Sequence, residues 1–200
     1  MNKIEKVFAS YNFVLASKSP RRQELLRDLG INFTVEVREV EEIFPDGLSS
    51  VEIAKYLAEL KVGGFEDSEL QPKKIIITAD TIVVCNGKVL GKPADREEAI
   101  EMLKMLSDNE HEVITGVCLK SSEKSKVFST STKVFFKKIC QKEIEYYVDT
   151  FKPFDKAGAY GIQEWIGFVA ITKIEGSYFN VVGLPLHDLY ENILNWEKEC

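Results

Sequence analysis

The sequence predicts an α/β protein with a mixed β-sheet. Short apolar runs of strand length alternate along the chain with segments whose apolar residues recur at helical spacing. Two of the strand-like runs are joined by Asn86-Gly87, the favoured two-residue turn of an antiparallel hairpin. Strands interleaved with helices, together with at least one hairpin, predict a mixed sheet.

The first part of the chain carries clear helix-start signals. It predicts a buried strand at 13–16, a helix ending at Gly30, a half-buried strand at 33–37, a helix ending at Gly63-Gly64 and an exposed loop at 66–74. Ser19 is a favourable N-cap for the first helix, with Pro20 in its first position. Ser49 and Glu52 have the spacing of a capping box for the second helix.

The rest of the chain continues the alternation. It predicts the hairpin around Asn86-Gly87, a helix opened by Asp95 and Glu98, strands at 113–119 and 126–139, a helix over 142–150, the segment FVAITKIEGSYFN, and an amphipathic helix after Pro185. The sequence shows no internal repeat and no low-complexity tract.

Composition excludes several classes of protein. The 200 residues are 44% hydrophobic and 29% charged, which is typical of an ordinary globular protein. No window is apolar enough to cross a membrane, and the start MNKIEKVFASYN lacks the apolar region of a signal peptide. Four cysteines without a CxxC pair and two distant histidines argue against a zinc site or a disulfide framework. A net charge of -6 disfavours nucleic-acid binding. Taken together, these observations lead us to expect a cytoplasmic protein with neither nucleic acid nor membrane as partner.

Arg21 and Arg22 lie in the first turn of the first predicted helix, where the helix dipole disfavours cations. A bound phosphate would reverse this penalty, because backbone N–H groups, the Ser17 and Ser19 hydroxyls and both guanidinium groups would converge on it. The alternative is that both arginines face water or pair with acidic residues of the same helix. The sequence favours an anion site here.

Asp80 interrupts an apolar strand, between IIITA and TIVVC. A buried carboxylate without a partner is costly, so Asp80 is expected to accept hydrogen bonds, contact a cation or bind a metal. The alternative is a turn-capping role for the pair Asp80 and Thr81.

Two lysines also have unusual settings. Lys61 shares a helical stripe with Ala54 and Ala58, although a lysine on a buried face often extends past the edge of the core. Lys92 follows the hairpin in LGKP, where Pro93 restricts the backbone, and its alternative is a solvated turn lysine.

Two further segments are candidates for ligand contact. The acidic run VREVEEIFPDG contains Glu42 and could supply oxygen ligands to Mg²⁺, although such runs are usually solvated. FDKAGAYGIQ contains Gln163, whose amide can contact donors and acceptors on a base edge; its alternative is an ordinary glycine-rich loop. The common phosphate-loop, dinucleotide and nucleophile-elbow motifs do not occur.

Five motifs occur in a fixed order: LASKSPRRQELL, ADTIVVCNGKVLGKP, HEVITGV, DKAGAYGIQ and GSYFNVVGLPL. In these motifs the chain resembles the Maf-like nucleoside triphosphate pyrophosphatases, from about Phe13 to Tyr190. The resemblance implies one domain over 1–200, with an elongated mixed sheet flanked by helices and two lobes around a central cleft, similar to the inosine triphosphatase-like fold. One departure is Asp108, which replaces the glycine usual after Leu-Ser.

The resemblance also implies an activity and its cofactor. Such enzymes split a nucleoside triphosphate between the α and β phosphates, with a divalent cation (Mg²⁺, Mn²⁺ or Co²⁺), to give the monophosphate and pyrophosphate. Asp80 matches the family's proton acceptor and would activate water directly or as a metal ligand, with Glu42 as the second candidate ligand. Four positions match the phosphate-binding residues: Ser17, Arg22, Lys61 and Lys92. Dimerisation is common in such families.

Three positions separate the family's substrate branches: Arg21, Thr81 and Gln163. All three match the branch acting on dTTP and UTP, for which CTP and modified pyrimidine nucleotides are further candidate substrates. One alternative is a 7-methyl-GTP-type pyrophosphatase, which would carry Trp, Gln and a Ser-Glu ending at these places. The other is a non-catalytic nucleotide-binding regulator of septum formation.

Overall fold

The computed structural model describes residues 3–196. Seven strands form one sheet: β1 (Asn12–Leu15), β2 (Phe33–Val35), β3 (Lys74–Cys85), β4 (Lys88–Leu90), β5 (Glu110–Lys120), β6 (Ser125–Phe136) and β7 (Ile171–Glu175). The helices are α1 (Lys3–Ser10), α2 (Pro20–Asp28), α3 (Ser50–Val62), α4 (Arg96–Leu106), α5 (Gln141–Phe151), α6 (Trp165–Ala170), α7 (Tyr178–Val182) and α8 (Leu186–Leu194). Within these residues, no helix is long and apolar enough to span a membrane.

The sheet is mixed, as predicted. Its order is β2-β1-β3-β5-β6-β7, with β4 added beside β3. β1 pairs in parallel with β2 and β3, whereas β4 pairs antiparallel with β3 and β7 pairs antiparallel with β6. The hairpin turn has φ values of 51° at Asn86 and 74° at Gly87, and positive φ at both positions is what this tight turn requires. The predicted α/β class is confirmed.

The chain forms two compact units. The first contains the described residues up to Asp80, Thr115–Thr130 and the described residues from Gly183 onwards. The second contains Thr81–Ile114 and Ser131–Val182. Strands β3, β5 and β6 contribute residues to both units. A single domain with two lobes around a cleft stays a prediction.

In the first unit, α3 lies directly on β5. A Cβ atom placed on Gly116 would be 2.1 Å from the carbonyl oxygen of Ala54, so only glycine permits this approach. One helical turn further on, the buried Thr78 hydroxyl donates to the carbonyl oxygen of Ala58. The predicted capping box of Ser49 and Glu52 begins the helix. These contacts fix the backbone of α3 against the sheet.

In the second unit, short-range signals place α4 and the turn after it. Asp95 is the N-cap of α4, and its carboxylate accepts from the backbone N–H of Glu98 at 2.8 Å. After α4, Asp108 has a φ of 58°, a left-handed conformation that suits glycine and that aspartate tolerates better than most residues. The departure at Asp108 therefore keeps the conformation for which a glycine would be selected.

Several element predictions differ from the structure. The strand predicted at 33–37 ends at Val35 and is mostly exposed, because β2 is an edge strand. FVAITKIEGSYFN divides between the end of α6, β7 and α7. The exposed loop at 66–74 contains a short 3₁₀ turn, and helix α1 was not predicted.

Candidate active site

Arg22 extends inward from the first turn of α2. Ser19 caps this helix, and its hydroxyl accepts from the backbone N–H of Arg22 at 3.4 Å. The Arg22 side chain donates from Nε to the carbonyl oxygen of Gly183 at 2.8 Å and from Nη1 to that of Ala79 at 2.9 Å. The buried Ser17 hydroxyl lies 3.5 Å from Nη1. Two carbonyl groups from distant parts of the sequence therefore hold the guanidinium in place.

The charges around Arg22 are partly balanced. Burial is the largest influence and lowers the pKa of Arg22, the negative charge of Asp80 raises it, and the positive charge of Arg21 lowers it. An arginine remains protonated in spite of such a shift. Arg22 is therefore a half-buried positive charge that two backbone carbonyls hold near a carboxylate, and the alternative in which it faces water is wrong.

Asp80 lies within β3 and is only 8% exposed. The ammonium group of Lys61, near the end of α3, donates a short hydrogen bond to Asp80 Oδ1. The same ammonium lies 3.2 Å from Glu42 Oε1. Lys61 thus joins a buried carboxylate to one that is 43% exposed, and the turn-capping alternative for Asp80 is wrong.

The two groups meet on consecutive residues of β3. Arg22 contacts the carbonyl of Ala79, and Lys61 contacts the side chain of Asp80. Lys61 contacts two carboxylates, Arg22 lies near them, and the positive charge of Arg21 acts on Arg22, so the cations of this cluster outnumber its carboxylates and suit an anionic ligand. The first unit thus brings together Ser17, Arg21, Arg22, Glu42, Lys61 and Asp80.

The acidic groups at this site suit one type of metal binding. Among residues 3–196, no group of three or more His, Cys, Asp and Glu side chains is placed to hold a metal ion. Glu42 and Asp80 nevertheless approach the same point, the Lys61 ammonium. Mg²⁺ typically takes one or two carboxylates and completes its shell with substrate phosphates and water. The pair fits a cation that binds together with a phosphate ligand.

The remaining predicted site residues belong to the second unit. Thr81 is half-buried and directly follows Asp80 in β3. Lys92 is exposed and lines a pocket of about 210 Å³ between β4 and α4. Gln163 is half-buried, at the third position of a β-turn closed by a 3.0 Å hydrogen bond from Glu164 N to the Gly161 carbonyl.

Residues 12–196 match the family described as Maf-like protein. This chain belongs to the Maf family. The motifs that carried the resemblance therefore identified the family correctly.

Relatives of this Maf protein cover nearly its whole length. It is 48% identical to the dTTP/UTP pyrophosphatase of Flavobacterium psychrophilum, over 96% of this chain and 98% of that protein. It is 50% identical to the protein of the same name from Christiangramia forsetii, over 95% of this chain and 96% of that protein. It is also 50% identical to the one from Bacteroides fragilis, over 92% of this chain and 95% of that protein. Among solved structures, the Staphylococcus aureus Ham1 protein is 17% identical with a TM-score of 0.45, covering 62% of this chain and 71% of that chain.

The backbone groups that hold Arg22 in this Maf protein were not predicted from the sequence. The carbonyl oxygens of Ala79 and Gly183 have no side-chain signature. Of these two residues, only Gly183 is marked in the sequence, because it lies in the motif GLPL. The structure shows why glycine is needed there, since its φ is 123°.

Proposed function

We propose that this protein is a nucleoside triphosphate pyrophosphatase that hydrolyses dTTP and UTP to the monophosphate and pyrophosphate. The main support is the position of Asp80, a buried carboxylate that contacts Lys61 and lies one residue from the anchor of Arg22. Relatives about half identical over nearly their full length bear the name of this activity. Arg21, Thr81 and Gln163 are the residues expected of the pyrimidine branch.

Substrate binding depends on groups already directed toward the charged cluster. The triphosphate is held by the Arg22 guanidinium, the Lys61 ammonium and the Ser17 hydroxyl, with Lys92 as a further phosphate ligand. The excess positive charge of the cluster offsets the negative charge of the triphosphate. Arg21, Thr81 and Gln163 are assigned to substrate choice, with Gln163 donating to and accepting from the edge of a pyrimidine base.

Asp80 is the proposed general base. Its carboxylate takes a proton from a water molecule, and the water oxygen forms a bond to a phosphorus of the α–β linkage. The bond from that phosphorus to the bridging oxygen breaks, and its electron pair leaves with one product; the products together are the monophosphate and pyrophosphate. Arg22 and Lys61 stabilise the charge that grows on the departing phosphate, and loss of one such contact typically lowers the rate about a hundredfold.

Glu42 and Asp80 are the proposed ligands of a divalent cation, Mg²⁺, Mn²⁺ or Co²⁺. When bound, such a cation supplies Lewis-acid polarisation of phosphate oxygens. Lys61 keeps both carboxylates close to each other before the substrate arrives.

The family resemblance extends the proposal to the setting. The enzyme acts on free nucleotides in the cytoplasm, removing surplus or modified pyrimidine triphosphates from the pool. It works as one Maf-like domain and as a homodimer.

The test is a pyrophosphate-release assay with Mg²⁺ or Mn²⁺ over the dNTPs, the NTPs and 7-methyl-GTP. The wild type should prefer dTTP and UTP, and Asp80→Asn should lose at least about a hundredfold in turnover. Asp149→Asn, which removes a carboxylate from an exposed ion pair with Arg96, is the matched control and should retain the wild-type rate. A purine preference would overturn the pyrimidine assignment. Tight UTP binding without turnover across several metals would favour the non-catalytic regulator.

A further inference from the structure

A single hydroxyl group joins both ends of the turn that carries Gln163. The turn begins at Gly161 and closes at Glu164. The hydroxyl of Tyr147, from α5, accepts from the backbone N–H of Gly161 at 3.0 Å. The same hydroxyl donates a short hydrogen bond to Glu164 Oε2. Because Tyr147 is completely buried, water does not compete for its hydroxyl.

A buried lysine supports the acceptor of this hydroxyl. The Lys156 ammonium lies 3.1 Å from the other oxygen of the Glu164 carboxylate, Oε1, and 2.7 Å from Asp155 Oδ1. The Lys156 side chain is only 9% exposed, so its charge depends on these two carboxylates. In return the ammonium lies against the carboxylate that accepts from the Tyr147 hydroxyl, and a hydrogen bond to a carboxylate is stronger than one to a neutral acceptor. Burial, and then the hydrogen bond to Glu164, raise the pKa of Tyr147, so its hydroxyl remains a donor.

The backbone around the turn leaves little room for movement. A Cβ atom on Gly161 would lie 2.8 Å from the carboxyl carbon of Glu164. A Cβ atom on Gly167, in α6, would lie 2.0 Å from the carbonyl oxygen of Ile162. The turn is therefore held at Gly161 and Glu164 by the Tyr147 side chain of α5. At Ile162 it is held by close contact with the backbone of Gly167 in α6.

We propose that Tyr147, Lys156 and Glu164 are positioning residues that fix Gln163 and thereby set the discrimination between pyrimidine and purine nucleotides. This inference rests on the proposed function, which assigns base recognition to Gln163. A hydrogen-bonded base edge discriminates strongly only when the amide is held in place, and a misplacement of about 1 Å can cost a hundredfold in rate. Releasing the turn should therefore harm pyrimidine substrates and leave a poorly matched purine almost unchanged.

The experiment uses Tyr147→Phe, which removes one oxygen atom and leaves the ring in place. The ratio of kcat/KM for UTP to that for GTP should fall about tenfold, with a larger change in KM than in kcat, because both hydrogen bonds of the hydroxyl to the turn are lost. Gln163→Ala should lower the same ratio. The double variant should fall no further than Gln163→Ala alone, because both substitutions remove the same recognition. Glu164→Gln, which keeps the side-chain shape, should lower the ratio in the same direction and serves if Tyr147→Phe folds poorly.

Tyr160→Phe is the matched control. Tyr160 is also buried in the second unit, but its hydroxyl bonds to His111 at 2.8 Å and not to the turn. This variant should lose thermal stability to a similar extent and keep the wild-type substrate ratio. Amide hydrogen exchange at Gly161 should accelerate in Tyr147→Phe and not in Tyr160→Phe.

The outcomes separate this inference from the proposed function. If the wild type prefers pyrimidines and Tyr147→Phe keeps that preference, the positioning role is overturned and the proposed function stands. An equal fall of the ratio in Tyr160→Phe, or a further fall in the double variant, also overturns it, since general loosening would then explain the loss. A wild type without pyrimidine preference overturns the proposed substrate choice and, with it, this inference.

Discussion

Substitution of Gly116 by alanine tests the way in which α3 is placed on the sheet. The added Cβ atom would lie 2.1 Å from the carbonyl oxygen of Ala54, 2.4 Å from its carbonyl carbon and 2.8 Å from the backbone nitrogen of Lys55. All three contacts are with backbone atoms, so no side-chain rotation relieves them. The helix must move away by about 1.4 Å to restore an ordinary contact distance of about 3.5 Å.

This displacement has two measurable effects. Overpacking of a buried contact typically lowers the free energy of unfolding by about 1–3 kcal/mol, and the value here should lie at the upper end because the clash is between backbones. For a chain of this size, Tm should fall by about 4–12 °C in thermal unfolding followed by circular dichroism. Since α3 carries Lys61, whose ammonium contacts Asp80, pyrophosphate release from UTP should also fall, by up to about a hundredfold.

Gly91→Ala is the matched control for stability. Gly91 has no heavy atom within 4 Å of the added Cβ position, and its φ is not positive. Its Tm should be unchanged or slightly higher, because alanine restricts the unfolded chain. If Gly116→Ala unfolds at the wild-type temperature, the contact between α3 and β5 does not constrain the helix as described.

Two further predictions concern charge. Arg22→Ala should lower turnover of every nucleotide about a hundredfold, whereas Arg21→Ala should change the relative rates on UTP and purine nucleotides; equal losses on all substrates would mean that both arginines act as one phosphate clamp. Burial lowers the pKa of His111 to about 4 from an unfolded value of 6.5, so the unfolded chain binds more protons between these pH values. The free energy of unfolding should therefore fall by up to about 3 kcal/mol as pH drops from 6.5 to 4, and urea unfolding of His111→Gln should lack this component.

Local signals predicted the fold well where a few neighbouring residues decide the structure. Ser49 and Asp95 begin helices as expected, and Asn86-Gly87 makes the hairpin turn, because each depends on contacts within four residues. The short helices α6 and α7 lack such signals: α6 has no side-chain hydrogen bond at its N-cap, and α7 is only five residues long. These short helices are stabilised by tertiary contacts, and the spacing of apolar residues in the sequence does not show such contacts.

The candidate site was predictable in its members and less so in its contacts. Asp80 and Lys61 each stood out as a charge in an apolar setting, and the structure joins them across 19 positions. The partners of Arg22 are backbone carbonyls, which every residue possesses, so nothing in the sequence marks Ala79 as one of them. The role of Tyr147 cannot be predicted from the sequence, because a tyrosine at a buried helical position is typical of an ordinary core residue.

The two carbonyl contacts of Arg22 also affect when its side chain loses its freedom. A long side chain that becomes ordered gives up rotamer entropy worth up to about 2 kcal/mol. Here the guanidinium is ordered by folding, since Gly183 and Ala79 already hold it. That entropy loss therefore lowers the free energy of unfolding of the protein and does not weaken substrate binding. Arg22→Lys would keep the positive charge and lose the planar donor arrangement, so the side chain would become ordered only when substrate binds. Substrate affinity would therefore fall although the charge is unchanged.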